Sequence, residues 1–572
     1  MSSSPGPALD RRILRLALPN IVSNLTVPLL GLVDMGLTGH LQEAAPIAGI
    51  SIATTLFNLI YWVFSFLRMG TSGLTAQAYG SRSPERMGRT LAQSFLIGLV
   101  GGLLIILLQT PLSRMILSVL APEPEVERYA LIYFAIVVMG APAILTTNAM
   151  NGWFIGMQNS WYPMAVSIVT NLVNIGLSAF LVLSEGRGIE GIAIGTLVAQ
   201  WLGMLLLGGG VLLLYVRRGR VVLPRRLSAL GEELGRYFST NVHIFFRTLL
   251  MACVSVYFVY AGTRMGTLTL AGNALLYQFF TLFSYFIDGF ANAGEAIIGD
   301  AYGQRDRSSL RTAERRLLGW GIGLGVVVTA IYAGAGRGLL ALLTDEAEVL
   351  QQALRYLPYM VVLPLAGCVG FVMDGVFIGM TATREMMWSM MVAVILFFAT
   401  YFGLPVEDGN AALMSAFLIY LAARGFVQLL IALRLEGLGL PFTRRYIILA
   451  GTTYDEERAG ALRELIHAAL PEARLTEAMM SEDAKGSGRI YRNALLILDS
   501  REEPEELARR MKELEERAGR VRTPSGEVAL DLDVVLCDDR ILRPTDYAAP
   551  YFQSLYRQHS PTLRVKIVDL RK

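Results

Sequence analysis

Twelve segments of the chain are long and apolar enough to cross a bilayer, each holding about 20 mostly apolar residues. They fall near 13–38, 46–69, 90–112, 128–151, 160–184, 190–216, 237–262, 268–298, 315–342, 352–379, 386–405 and 410–434. A chain with this pattern is an all-α polytopic membrane protein over most of its length. Charge supports the division. Of the first 444 residues 53 are charged, against 44 of the remaining 128, and all four lysines (Lys485, Lys512, Lys566, Lys572) lie in that second part. The expected organisation is therefore residues 1–226 and 227–444 as two membrane lobes, with 445–572 as a small soluble α+β domain. A mean hydropathy of +0.48 excludes a disordered chain and most soluble enzymes. A net charge of +3 gives no reason to expect nucleic acid, and three scattered cysteines (Cys253, Cys368, Cys537) suggest neither disulfides nor a metal cluster. The start runs into a hydrophobic span with no cleavage signal, so no secretory leader is expected.

The arginines set the orientation. They gather before span 1 (Arg11, Arg12, Arg15) and after span 2 (Arg82, Arg86, Arg89). They gather again after span 6 (Arg217, Arg218, Arg220, Arg225, Arg226, Arg236) and after span 8 (Arg305, Arg307, Arg311, Arg315, Arg316). Arg384 follows span 10, and Arg434, Arg444 and Arg445 follow span 12. The alternate loops carry acids such as Glu123, Glu125, Asp345 and Glu346. By the positive-inside rule both termini, and so the soluble domain, face the cytoplasm.

The chain repeats itself. AYGSR at 78–82 recurs as AYGQR at 301–305, and NGWFIGM at 151–157 recurs as DGVFIGM at 374–380, both at an offset of 223. Two halves of equal orientation follow, related by an axis along the membrane normal. Secondary transporters use this plan, with the solute path between the halves and access alternating between the two sides. The halves differ in their acids. The same offset sets Asp34 against Tyr257, Asn151 against Asp374, Ser65 against Asp288 and Ser72 against Glu295.

Ionisable groups inside a membrane are costly and mark ion or substrate paths. Asp34 is the only acid of span 1. An acid there can load and release a proton, and a cation bound nearby competes with that proton, which is a minimal antiport device. A position near the outward end of the span, open to water, is the alternative. Pro19 and Pro28 interrupt the same helix and permit a bend. Asn171, Asn174 and Ser178 share a face of span 5, and Thr196 and Gln200 share one of span 6. They can join Asp34 in a proton or cation network, or serve as ordinary interhelical hydrogen bonds. In the second half Asp288 and Glu295 lie on one face of span 8 and Asp374 lies in span 10, and Tyr257, the repeat partner of Asp34, is grouped with them as the candidate site of that half. These acids either hold a cation or pair with Arg247 of span 7 and Arg424 of span 12. Asp300, near the end of span 8, reads as solvated.

The segments LALPNIVSNLTVPLLGLVDMGLTGHL, FLRMGTSGLTAQAYG and FIDGFANAGEAIIGDAYG resemble the multidrug and toxic compound extrusion (MATE) transporters, most closely the DNA-damage-inducible F type, over roughly residues 10–440. The resemblance implies two six-helix lobes and export of organic, often cationic, compounds driven by protons or sodium. It implies that Asp34 is the proton-binding acid, Pro19 the bending proline, and Asn174 and Thr196 its polar partners. Ser178 stands where some relatives carry a second aspartate. Asp374 falls in a span where other branches place a cation-binding acid.

The tail alternates strand-like and helix-like segments: strands at 446–451, 493–498, 528–536 and 563–570, and helices at 458–470 and 502–519. Asp531 and Asp533 project from one face of a strand, and such a pair can hold Mg²⁺ beside a nucleotide phosphate or form a solvated face. YIILAG, IYRNALLIL, EELARRMKELEERAGRVR and LDLDVVL resemble the pterin pyrophosphokinase of folate synthesis (HPPK). That resemblance implies magnesium at Asp531 and Asp533, a pterin pocket near Tyr491 and Asn493, and a phosphate-side cation at Arg520. Several expected residues are absent. The G-S-N loop reads Gly451-Thr452-Thr453, Val528 stands where a cation is expected, and Pro550-Tyr551-Phe552 lacks the histidine. Phosphoryl transfer depends on positive groups around the phosphates, so the tail reads as a degenerate domain that senses a ligand, binds a partner or stabilises the transporter.

The expected function is proton-coupled export of amphipathic organic cations across a bacterial inner membrane, using H⁺ or Na⁺ and no other cofactor for transport. Membrane lipid is the expected surrounding partner. A lipid or lipid-linked precursor flippase of the same fold, and a membrane-tethered pyrophosphokinase, are the competing readings.

Overall fold

The computed structural model describes all residues except 1–4, 40–43, 121, 225, 227, 232–233, 405–406, 438–443, 483–489, 501, 503, 520–527, 538–539 and 564–572. It divides into two compact units, Met1–Ala432 and Leu433–Lys572.

The first unit is helical. Its first half holds α1 (Pro5–Gly39), α2 (Ala44–Val63), α3 (Phe66–Gly80), α4 (Pro84–Leu107), α5 (Gln109–Leu120), α6 (Pro124–Val137), α7 (Ala141–Gly156), α8 (Trp161–Leu183) and α9 (Gly188–Val211). After the short α10 (Ser228–Gly231) come α11 (Leu234–Arg264), α12 (Thr267–Gly303), α13 (Arg307–Leu343), α14 (Ala347–Gly379), α15 (Thr383–Gly403) and α16 (Gly409–Gly437). Among the described residues eleven stretches are long and apolar enough to cross a membrane. They coincide with predicted spans 2–12. The first predicted span lies within α1, several of whose side chains, that of Asp34 included, fall outside the described residues.

Two spans are less regular than their hydropathy suggests. Span 2 breaks between α2 and α3, where Phe64 and Ser65 donate to the carbonyls three residues back, at 3.0 and 3.1 Å. Span 4 breaks at a 3₁₀ turn, Val138–Gly140. Pro142 follows in the first turn of α7, where its missing N–H costs nothing. Hydropathy averages over such breaks and cannot register them.

The repeat is visible in the backbone. Arg82, Gln158, Arg305 and Thr381 are the non-glycine residues with positive φ among those described, at 52°, 61°, 57° and 55°. They form two pairs separated by the 223-residue offset. Each ends a helix with the same bonds. Ser83 N–H donates to the Ala78 carbonyl and Asp306 N–H to Ala301; likewise Asn159 N–H donates to Phe154 and Ala382 N–H to Phe377. These are left-handed C-terminal caps built without glycine. The next helix start is matched too, since the side chains of Ser83 and Asp306 accept from Arg86 N–H and Ser309 N–H.

Reciprocal glycines join the halves. A Cβ on Gly80 would stand 2.1 Å from the Asp300 carbonyl oxygen, and one on Gly303 would stand 2.2 Å from that of Gln77. Asp300 is the repeat partner of Gln77, so the contact is two-fold symmetric. Within each half the pattern recurs, with Gly152 against the Arg68 carbonyl and Gly375 against that of Ala291, both at 2.1 Å. Gln77 adds hydrogen bonds to the Gly379 carbonyl (2.8 Å) and Thr381 Oγ1 (3.2 Å), and Gln158 donates to the Ala296 carbonyl at 2.6 Å. The halves are therefore closed together at the end bearing the Arg82–Arg89 and Arg305–Arg316 loops.

Asp300 corrects the expectation of a solvated acid. It is buried, pairs with Arg12 of α1, and accepts from Gln304 Nε2 at 2.7 Å. The close packing of α3 against the end of α12 removes it from water.

The second unit is an α+β domain. Its sheet contains β1 (Arg444–Thr452), β2 (Arg474–Leu475), β3 (Met479–Glu482), β4 (Ile490–Ser500), β5 (Asp531–Cys537) and β6 (Arg540–Ile541). The order is β2-β4-β1-β5-β6, with β3 also on β4 and every pair antiparallel. The central strands are apolar on both faces because both faces are covered. Tyr446, Ile448, Leu496 and Leu498 pack with residues of α17 (Glu456–Ala469) and α18 (Pro504–Arg517). Ile447, Leu449 and Leu495 pack with Phe552, Leu555 and Tyr556 of α20 (Pro550–Leu563), which follows the short α19 (Pro544–Ala548). The strand expected at 563–570 begins on the last residue of α20, and the rest of it lies outside the described residues.

Candidate transport site

In the first half α8 and α9 bring the predicted amide and hydroxyls together. Asn174 Nδ2 donates to Thr196 Oγ1 at 3.3 Å, and Ser178 Oγ donates to Asn174 Oδ1 at 3.3 Å. Asn174 and Ser178 are buried. Gly195 permits the approach, because a Cβ there would lie 2.1 Å from Ser178 Oγ. Asn171, one turn earlier, is half-buried, and no hydrogen bond joins it to this trio among the described residues. Asp34 sits in α1, which packs on both α8 and α12. Pro19 is buried within α1, and the neighbouring Asn20 spends its side-chain amide on the Leu16 carbonyl at 2.7 Å and on Ser160 Oγ at 3.0 Å. Asn24 ties the same helix to the Tyr285 carbonyl of α12 at 3.1 Å.

A cavity of about 220 Å³ lies where second-half helices meet the α2–α3 segment of the first half, which contributes Trp62, Ser65, Arg68 and Met69. Asp288, Glu295 and Asp374 all line it, together with Arg68, Arg247 and Arg424. Glu295 is buried and faces Arg68 at 3.3 Å; Arg68 also donates to Asn292 Oδ1 at 2.9 Å. Asp374 is gripped from three sides. One carboxylate oxygen accepts from both Arg247 and Arg424, and the other accepts from Gln428 Nε2 at 2.7 Å. Of the two roles open to Asp374, the geometry here is the arginine pair. An inward carboxylate and two inward guanidiniums cannot remain separate in a low-dielectric interior. Tyr257 lies apart from this lining. It packs on Phe398, Tyr401 and Tyr260, which corrects its grouping with the three acids. Repeat position alone does not carry a residue into the cavity when α11 and α15 turn that side chain against each other.

Arg68 and Gln428 were not among the expected site residues. The signal for Arg68 was available, since it is a lone arginine within span 2. Gln428 carried none, because a glutamine in an apolar helix is compatible with many contacts.

In the second unit Asn493, Gly451 and Asp531 stand opposite one another across β4, β1 and β5. A Cβ on Gly451 would lie 2.9 Å from Asn493 Oδ1, so the glycine keeps this row open. Asn493 is buried and donates to Ser481 Oγ at 2.7 Å; Tyr491, two residues earlier, stands opposite Ser481. Thr452 Oγ1 donates to the Ala529 carbonyl at 2.6 Å, and Thr453 Oγ1 accepts from Val528 N–H at 2.8 Å. Both hydroxyls are thus occupied in holding the strand beside them. Asp533 pairs with Arg543. Burial and the adjacent Asp531 carboxylate push Asp533 up to about 6, against the pull of Arg543. No group of three or more His, Cys, Asp or Glu side chains is placed to hold a metal among the described residues. Two carboxylates fit Mg²⁺ only if phosphate and water supply the remaining ligands and Arg543 yields Asp533. Arg520 lies outside the described residues.

The family model MatE matches residues 19–180 and 244–402. The chain belongs to the MATE family. It is 37% identical over 424 residues to DNA damage-inducible protein F of Escherichia coli, covering 73% of this chain and 90% of that protein. A probable multidrug resistance protein NorM of Thermotoga maritima is 24% identical over 282 residues, 46% of this chain and 58% of that protein. The fold is similar to that of a solved structure described as the outward-facing conformation of a multidrug resistance MATE family transporter of the MOP superfamily, with a TM-score of 0.68 at 19% identity over 77% of this chain and 99% of that one. The model for 7,8-dihydro-6-hydroxymethylpterin-pyrophosphokinase matches residues 452–561, so this MATE chain carries an HPPK domain in its second unit.

Proposed function

We propose that this MATE transporter is a proton-coupled antiporter. It exports amphipathic organic compounds by alternating access between two six-helix halves, twelve spans in all. The observation that carries this reading is the charged cavity lined by both halves, whose shared backbone frame holds a different polar set on each side. Asp34 binds the coupling proton, and Asn174, Thr196 and Ser178 form the polar ground near it. Pro19 lets α1 bend as that proton is exchanged. The arginine-rich loops and both termini face the cytoplasm of a bacterial cell, which makes the closed end the cytoplasmic one. The second unit binds a nucleotide or pterin without turnover, because Thr452 and Thr453 are committed to strand contacts and Asp533 to Arg543.

The test is efflux of a cationic dye from proteoliposomes under a pH gradient and, separately, a sodium gradient. Dye movement should follow the pH gradient, and Asp34→Asn should abolish it while the protein still elutes as a folded species. Normal efflux in that variant removes the mechanism, and sodium-driven efflux replaces the coupling ion. For the second unit, Mg²⁺-dependent ATP binding without AMP release is expected. AMP release with a pterin acceptor would restore the enzyme reading.

A further inference from the structure

We propose that the charged cavity between the halves binds a zwitterionic amphiphile, whose acidic group meets Arg247 and Arg424 and whose basic group meets Asp288. This narrows the cargo of the exporter reading and rests on it for the word cargo, though not for binding.

The argument is a charge balance over the lining. Three arginines and three acids face the cavity, but they are not matched one to one. Arg68 and Glu295 satisfy each other. Arg247 and Arg424 converge on a single oxygen of Asp374, two cations on one anion. Both are buried, 3% and 2% exposed, and the Nε of each has no partner among the described residues. Asp288 lines the same cavity and makes no hydrogen bond or ion pair among the described residues. The lining therefore offers one surplus positive centre and one surplus negative centre, which attract each other through space but share no hydrogen bond or ion pair among the described residues.

Buried charges need partners with good geometry. An organic cation would satisfy Asp288 and leave the surplus guanidinium charge facing it. A simple acid would do the reverse. Like charges brought together across such a surface are costly. A ligand with both groups completes both centres. Its acid can take the free guanidinium donors, for which a planar carboxylate is the natural match. The remaining wall suits an apolar or aromatic body. Tyr277, Phe280, Phe371 and Phe417 line it, and the Arg424 guanidinium sits 4.8 Å above the Phe371 ring.

The test uses the full-length protein in lipid nanodiscs and three probes with one aromatic body: pyrenylalanine (zwitterion), pyrenepropanoate (acid) and pyrenepropylammonium (base). Binding is read by fluorescence anisotropy at neutral pH. Pyrenylalanine should bind about ten- to a hundredfold more tightly than either singly charged probe, the worth of one charge-assisted hydrogen bond. Asp288→Asn should erase its advantage over pyrenepropanoate and leave pyrenepropanoate binding intact. Equal or tighter binding of either singly charged probe to the unaltered protein overturns the proposal, a result that needs no variant to fold. Persistence of the advantage in Asp288→Asn also overturns it. The transport reading fails separately, if no gradient moves dye while the probe ranking holds.

Discussion

The two halves of the membrane unit share a backbone and differ in chemistry. Their helix ends match to the residue, with left-handed caps at Arg82 and Arg305 and at Gln158 and Thr381. Their polar interiors do not match. The first half holds an uncharged trio, Asn174, Thr196 and Ser178, whereas the second holds Asp374 clamped by two arginines and a glutamine. The positions that duplicate are those where backbone meets backbone. Gly80 and Gly303 must stay glycine because their neighbours are carbonyl oxygens, which cannot move aside as a side chain can. The positions that diverge are side chains facing a cavity, where a change in chemistry leaves the frame intact.

The strongest way to break this comparison is at the shared frame. Gly80→Leu and Gly303→Leu should each prevent closure of the halves, costing several kcal/mol, since overpacking against rigid backbone exceeds the roughly 1–3 kcal/mol of an ordinary core insertion. Thermal unfolding in detergent measures it. Gly176→Ala, where a Cβ meets nothing within 4 Å, is the control. A mild and equal effect at all three sites would show that the reciprocal contact does not hold the halves.

The unequal interiors come next. Asp374→Asn leaves two buried guanidiniums without a counter-charge and should cost about 3–5 kcal/mol. Asn174→Ala in the other half removes neutral hydrogen bonds and should cost about 1 kcal/mol. Equal losses in a denaturation series would erase the distinction between the charged Asp374 cluster and the uncharged Asn174 cluster.

A smaller effect contrasts the second unit with the membrane unit. Asp533 has its folded pKa raised, so its anionic form is disfavoured by folding. The contribution of this carboxyl to the stability of the second unit should therefore be fully present below about pH 4, the unfolded value, and be lost as pH rises through about 6. Asp533→Asn should flatten that decline. An unchanged pH profile would mean that Arg543 balances the carboxylate fully.

The smallest prediction returns to the repeat. Arg82→Gly and Arg305→Gly relieve a left-handed backbone at matched sites. Each should raise stability by about 1 kcal/mol or less, after the entropy that glycine adds to the unfolded chain. Gains that differ in sign between the two sites would show that the caps are not equivalent.

Much of the fold was legible in the sequence because hydropathy and the 223-residue repeat are one-dimensional signals. Spans 2–12, the arginine-rich ends and the central strands with helices α17 and α18 follow from them. The breaks at Phe64–Ser65 and Val138–Gly140 did not show, since they change hydrogen bonding without changing polarity. Asp288, Glu295 and Asp374 were legible as acids out of place. Tyr257 was carried along by its repeat position, and Arg68 was passed over among many arginines.

Amino-acid order alone determined that the chain enters a membrane as a duplicated bundle with a charged domain after it, because burial of apolar surface and periodicity are local properties. Only the tertiary structure decided which charges meet. Arg247, Asp374, Arg424 and Gln428 come from three helices far apart in the chain. Their partnership is enforced by the cost of leaving any of them alone in a dry interior, and that cost depends on what surrounds each one in space.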